Sequence, residues 1–223
     1  GELPALLIQS CLDSDRKFFV IAFTGQTNPN IFKNYVSHAW VRLGAAGKTL
    51  KLLRQEGVEE IVLAGGIERP AFRDLRPDWW AIKFFALSGA AFLGDDGLLT
   101  ALIRSIEKEG FKVIGAEQLL PEIIAPDGIF GSIKPNKKNY FDIETARQAA
   151  LALGVKDKGQ GAIAHQGNVL IVEGKNGTDH MISCLPNLRN SKKGGVLVKV
   201  CKPGQETRAD LPTIGVSTIR LAA

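Results

Sequence analysis

Cysteine is scarce in these 223 residues: Cys11, Cys184 and Cys201 stand far apart, odd in number and without a C-x-x-C pair. That argues against a disulfide framework or a structural zinc site and for a reducing compartment. The three histidines, His38, His165 and His180, have no metal-ligand spacing. No serine occupies a G-x-S-x-G elbow, so triad hydrolysis is unsupported. A G-x-G-x-x-G fingerprint is also missing, which removes the main support for a dinucleotide-dependent oxidoreductase. No charged-then-apolar leader opens the chain, and no apolar run approaches the roughly 20 residues of a membrane span. Aromatic residues make up 7%, and the basic residues are scattered apart from Lys137-Lys138 and Lys192-Lys193. Without aromatics interleaved among the cations, nucleic acid is not an expected partner.

What is present suits an ordinary α/β protein. Hydrophobic residues are 45% and charged residues 23% of the chain, enough for a sizeable core in one large or two small domains. The net charge of +5 suits an anionic substrate or membrane surface without requiring either. The chain opens at Gly1-Glu2-Leu3-Pro4 and stops at Leu221-Ala222-Ala223, and it reads as a segment of a longer protein.

The first half alternates strand and helix signals. Phe18–Phe23, Ile61–Ala64 and Phe111–Ala116 read as buried strands. Ala45–Glu56, closed by Gly57, and the stripe Leu98, Leu99, Leu102, Ile103, Ile106 read as helices. This order predicts a Rossmann-like parallel sheet with flanking helices over residues 1–125. Prolines 121, 126 and 135 and three nearby lysines mark a linker, placed at 126–139. A C-terminal mixed α/β domain follows over 140–223. Its expected elements are a helix Ile143–Leu153, a hairpin of Gly161–His165 with Val169–Glu173, a helix or loop over Thr178–Leu188, and strands Val196–Lys202 and Thr213–Ile219.

Several clusters could carry chemistry. Gly44-Ala45-Ala46-Gly47-Lys48-Thr49 fails as a phosphate-binding loop because Arg42 stands where the motif needs glycine, and a helix start is the better reading. Gly65, Gly66 and Arg69 follow a strand, where glycines admit a ligand to the backbone and arginine grips phosphate; a simple turn is the alternative. Asp95-Asp96 between Gly94 and Gly97 suits helix capping, or else a metal or polar ligand. Asp179 after Gly177-Thr178 caps the next helix or joins a site. The bulky cluster Trp79, Trp80, Phe84, Phe85, Leu87, Phe92 is core, or else an acyl-chain chamber or membrane-facing surface. The densest constellation is Gln205-Glu206-Thr207-Arg208-Ala209-Asp210-Leu211-Pro212-Thr213-Ile214-Gly215. A carboxylate beside an arginine is the equipment of divalent-metal phosphate chemistry, and magnesium needs only one or two carboxylates. A solvated loop with an Arg–Asp pair is the alternative.

Six segments, in order, resemble the LpxI-type UDP-2,3-diacylglucosamine pyrophosphatases of lipid A biosynthesis. They are Gly1-Glu2-Leu3-Pro4, Ala64-Gly65-Gly66 with Arg69-Pro70, Gly94-Asp95-Asp96, Gly159-Gln160-Gly161, Glu173 with Gly177-Thr178-Asp179, and Gln205–Gly215. The last is the most specific. The resemblance implies two domains clasping a lipid substrate and a hydrolase dependent on Mg2+ or another divalent cation. Water would attack the diphosphate at the phosphorus next to the sugar, giving UMP and 2,3-diacylglucosamine 1-phosphate (lipid X). The family's essential aspartate falls on Asp210, the expected metal ligand, with Glu206 and Arg208 as catalytic partners. Gly1, Gly65, Gly66, Arg69, Asp95, Asp96, Gln160, Thr178, Asp179, Gln205, Thr207 and Thr213 are the expected substrate contacts. The resemblance also implies a cytoplasmic protein in peripheral contact with the inner membrane, and a homodimer. Family members extend beyond both ends of this chain. A non-catalytic nucleotide-sugar or lipid carrier using the same interdomain cleft is the competing reading.

Overall fold

The computed structural model describes residues 2–32, 36–67, 75–89, 94–185 and 194–222. The chain forms two compact units, Gly1–Ala125 and Pro126–Ala223. Both are mixed α/β.

In the N-terminal unit, α1 (Leu3–Asp13) starts with a proline in its first turn, where the missing N–H costs nothing, and buries Leu7 and Cys11. β1 (Val20–Phe23) pairs in parallel with β2 (His38–Val41). α2 (Ala46–Gln55) buries Leu50 and Leu53, one turn apart, and leads into β3 (Glu60–Val62). α3 (Trp79–Ser88) and α4 (Asp95–Lys108) then carry the chain over to β4 (Lys112–Ile114), which runs parallel to β3. Among the described residues the four strands form two separate parallel pairs rather than one continuous sheet. A helical crossover forces parallel direction but does not choose which strands become neighbours.

The Gly44–Thr49 stretch is a packing device. Asp78 Oδ2 accepts from the Gly47 N–H at 2.8 Å and the Lys48 N–H at 3.3 Å, capping α2, which has no cap of its own. Its Oδ1 accepts from Ala81 N–H at 3.0 Å, capping α3. One carboxylate thus satisfies orphan amides on two helices. A Cβ on Gly44 would lie 1.9 Å from the Leu75 carbonyl oxygen, so glycine is required for the two segments to meet.

The C-terminal unit is a three-stranded antiparallel sheet, order β6–β5–β7, covered on both faces. It contains α5 (Lys137–Val155), β5 (Gly161–His165), β6 (Asn168–Val172), α6 (Gly177–Ser183), β7 (Val196–Lys199) and α7 (Val216–Ala222). Strand alternation sorts the sides. Ala162 and Ala164 pack on Ala146 and Ala150 of α5, small residues that let helix and sheet approach closely. Ile163 faces Met181, Ile182 and Leu185 on the side of α6. Buried Asp142 on α5 accepts from the Gly167 N–H at 2.7 Å and the Gln166 N–H at 3.2 Å, holding the two-residue β5–β6 turn.

Two expectations are corrected. The stretch read as the strand Thr213–Ile219 is instead the helix α7 from Val216; Asp179 binds the hydroxyls of Ser217 and Thr218, and this outweighs the β-branched residues' strand preference. The helix expected to begin at Ile143 starts at Lys137, inside the presumed linker, because Asn136 and Asn139 form a reciprocal capping box. The aromatic cluster is divided: Phe84 is buried, whereas Trp79 and Leu87 are 79% and 76% exposed. Phe92 lies outside the described residues. Among the described residues no helix is long and apolar enough to cross a membrane.

Candidate functional site

Polar residues gather in the C-terminal unit where β6 hands over to α6. Glu173 directly follows β6 and is buried. A Cβ on Gly159 would lie 2.8 Å from the Glu173 carbonyl oxygen, so glycine there allows the close approach. Glu173 Oε2 accepts from the Gln160 N–H at 2.9 Å, and Oε1 accepts from the Thr178 hydroxyl at 2.5 Å. Lys199, at the end of β7, donates to Thr178 Oγ1 at 2.7 Å and lies 3.6 Å from Glu173 Oε1. Burial pushes the Glu173 pKa up, but the Thr178 hydroxyl, the Gln160 amide and the Lys199 ammonium together outweigh it, and the pKa lies below its usual value. The carboxylate is therefore ionised at neutral pH. Gln160 Oε1 is buried with no hydrogen-bond partner among the described residues.

Lys199 also donates to the Thr213 carbonyl at 3.2 Å, which ties this cluster to the chain three residues after Asp210. From the other side, buried Gln205 anchors the same loop. Its Oε1 accepts from the Lys202 N–H at 2.8 Å and its Nε2 donates to Asp210 Oδ2 at 2.7 Å. The amides of Ala209 and Asp210 both donate to the Glu206 carbonyl at 3.1 Å, closing a tight turn. Within that turn the Arg208 guanidinium grips the Glu206 carboxylate with Nε at 2.9 Å and Nη2 at 2.8 Å. One turn thus carries a carboxylate oriented by a buried amide and a guanidinium gripped by a second carboxylate, groups whose chemistry can meet a cation and an anionic group. In the same unit, Leu197, Ile214, Thr218, Ile219 and Ala222 line an apolar recess of about 330 Å³.

The structure thus brings Gln205, Glu206, Arg208 and Asp210 together, and links Gln160, Thr178 and Thr213 to them through Glu173 and Lys199. Thr207 is exposed on the same loop. Both Asp179 oxygens accept from hydroxyls, Ser217 at 3.0 Å and Thr218 at 2.5 Å, and so clamp α7 to α6. Gly65 and Gly66 follow β3, and Asp95 and Asp96 open α4, all in the N-terminal unit. Gly1, Arg69 and the Asp95 side chain lie outside what the structure describes.

Lys199 was not singled out by the sequence reading, and Glu173 entered it only through the resemblance. A signal existed for the lysine. In V-L-V-K, Lys199 shares the face of Leu197, which packs on the α6 side of the sheet. A lysine on a core-facing register position needs a buried partner.

The LpxI N-terminal domain family matches residues 1–123 and the LpxI C-terminal domain family matches residues 126–223. The chain is 39% identical over 230 residues to the UDP-2,3-diacylglucosamine pyrophosphatase LpxI of Caulobacter vibrioides; the alignment covers 100% of this chain and 81% of that protein.

Proposed function

The chain belongs to the LpxI family, and from that premise we propose that it hydrolyses the diphosphate of UDP-2,3-diacylglucosamine in lipid A biosynthesis, with Asp210 as the central residue. The observation that carries the reading is the match to a pyrophosphatase of that name along the whole chain. The geometry at Asp210 supports it.

Magnesium fits the residues present. One Asp210 oxygen is oriented by Gln205, while no hydrogen bond is formed by the other among the described residues. No group of three or more His, Cys, Asp or Glu among those residues is arranged to ligate a metal alone. One carboxylate completed by substrate phosphates and water is the set magnesium prefers. Bound there, the ion would polarise a phosphoryl oxygen and acidify a water. Gln205 keeps the Asp210 carboxylate in one orientation, and Glu206 keeps the Arg208 fork in the plane a phosphate can meet.

In the reaction, water oxygen bonds to the phosphorus next to the sugar, and the bond from that phosphorus to the bridging oxygen breaks. UMP departs with the bridging oxygen, lipid X keeps the new one, and a proton is released. The test is hydrolysis in ¹⁸O-water with mass analysis of both products. Label in lipid X and none in UMP is expected; label in UMP overturns the direction of attack.

The remaining parts of the reading follow from the substrate. A cytoplasmic enzyme must meet a diacylated lipid at the inner membrane surface, peripherally. The parallel pairs β1–β2 and β3–β4 support a Rossmann-like arrangement of the N-terminal unit. A homodimer completes the proposal.

A further inference from the structure

Between Gly128 and Phe141 the chain carries three lysines and no acidic residue. Residues 126–134 are exposed throughout. Three apolar side chains stand in the open there: Ile129 at 51%, Phe130 at 74% and Ile133 at 86% exposure. Lys134, Lys137 and Lys138 follow at once and are exposed as well. Tyr140, 58% exposed, continues the stretch on the first turns of α5. Among the described residues no backbone hydrogen bond ties this stretch, before α5, to the sheet. Ile129 and Lys138 are nine positions apart, so the stretch between them spans at most about 30 Å.

Large apolar groups held in water are unfavourable unless something covers them. Here the cover must also accept three positive charges. Apolar side chains that enter the acyl boundary, with lysines reaching anionic headgroups, are the pattern of an interfacial anchor. We infer that residues 129–138 form a membrane-docking segment that seats the protein on an anionic bilayer through Phe130, Ile133 and the three lysines. The choice of a bilayer over a protein partner rests on the function proposed above, since a diacylated substrate resides in one. Glycines 128 and 131 and Pro135 keep the segment out of helix, so it can lie along the surface.

The experiment uses the full chain and sucrose-loaded phosphatidylcholine vesicles, with and without phosphatidylglycerol. Wild type is expected to co-sediment with the anionic vesicles and to be released by salt. Replacing Lys134, Lys137 and Lys138 with Gln should weaken binding about a hundredfold, at roughly fivefold per lysine. The double variant Phe130→Ser and Ile133→Ser should lose about tenfold or more through its missing apolar area. Both variants should hydrolyse detergent-dispersed substrate as wild type does and lose activity only on vesicle-borne substrate. Absence of wild-type binding, or variants that bind as wild type does, overturns the inference. So does light scattering in which the variants lose self-association while vesicle binding is unchanged, which assigns the segment to a second copy. If no protein hydrolyses the detergent-dispersed substrate, the functional reading fails, and the vesicle result still judges the docking segment.

Discussion

At the residue scale, the site depends on charges that are partnered before any substrate arrives. Glu173 is buried and the Lys199 side chain is only 11% exposed, so removing one leaves the other poorly compensated. Lys199→Met is expected to destabilise the protein by about 3 kcal/mol, the range for a broken buried pair, as read from urea unfolding. Lys199→Arg should recover part of that loss. Glu173 gives a pH signature. Its folded pKa is depressed, so its contribution is present above the usual carboxylate value and fades as pH falls through the lower folded value. Glu173→Gln should therefore melt below wild type at neutral pH, with the gap narrowing in acid; a gap independent of pH would contradict this. The loop Gln205–Asp210 was legible from its residues because its polar groups interact locally: Glu206 with Arg208, Gln205 with Asp210. Lys199 was harder to find, since its partners are 14, 21 and 26 residues away and meet it only when β6, β7 and α6 assemble.

At the element scale, sequence periodicity located β1, α2, β3, α4, β4 and the β5–β6 hairpin, all of which advertise an apolar face or a turn signal. The failures share a cause. Thr213–Ile219 has the β-branched pattern of a strand, yet α7 forms because Asp179, 38 and 39 residues earlier, binds its two hydroxyls. Similarly, the G-A-A-G-K-T stretch owes Gly44 to Leu75 and its cap to Asp78, both some thirty residues downstream. Tertiary partners of this kind leave no local trace. Asp78→Ala removes caps from two helices and is expected to cost about 2 kcal/mol in unfolding free energy, twice the usual value of one cap. Calorimetry on the pure variant checks it, and an unchanged transition would show that the shared cap is idle.

At the scale of the whole molecule, two units share one chain, and the segment between β4 and α5 is exposed over many residues. Exposed segments with few hydrogen bonds are cut first by proteases. Limited trypsin digestion should nick the protein at Lys137 or Lys138, the Lys134–Pro135 bond being resistant, before any site inside the sheet of the C-terminal unit, as mass spectrometry of the early fragments would show. Anionic vesicles should slow that cut. The fold class of the C-terminal unit, mixed α/β, was within reach of the sequence; the separation of the N-terminal strands into two pairs was not, because neighbour choice is a property of the assembled layer.

The proposed function rests on Asp210. The most direct measurement is UMP release from UDP-2,3-diacylglucosamine by the full chain and by its Asp210→Ala variant, each with magnesium and with chelator. Wild type should release UMP only with magnesium, and the variant should lose on the order of a thousandfold, as expected when metal-assisted charge stabilisation worth several kcal/mol is removed. Release that survives chelation, or a variant as active as wild type, would contradict it.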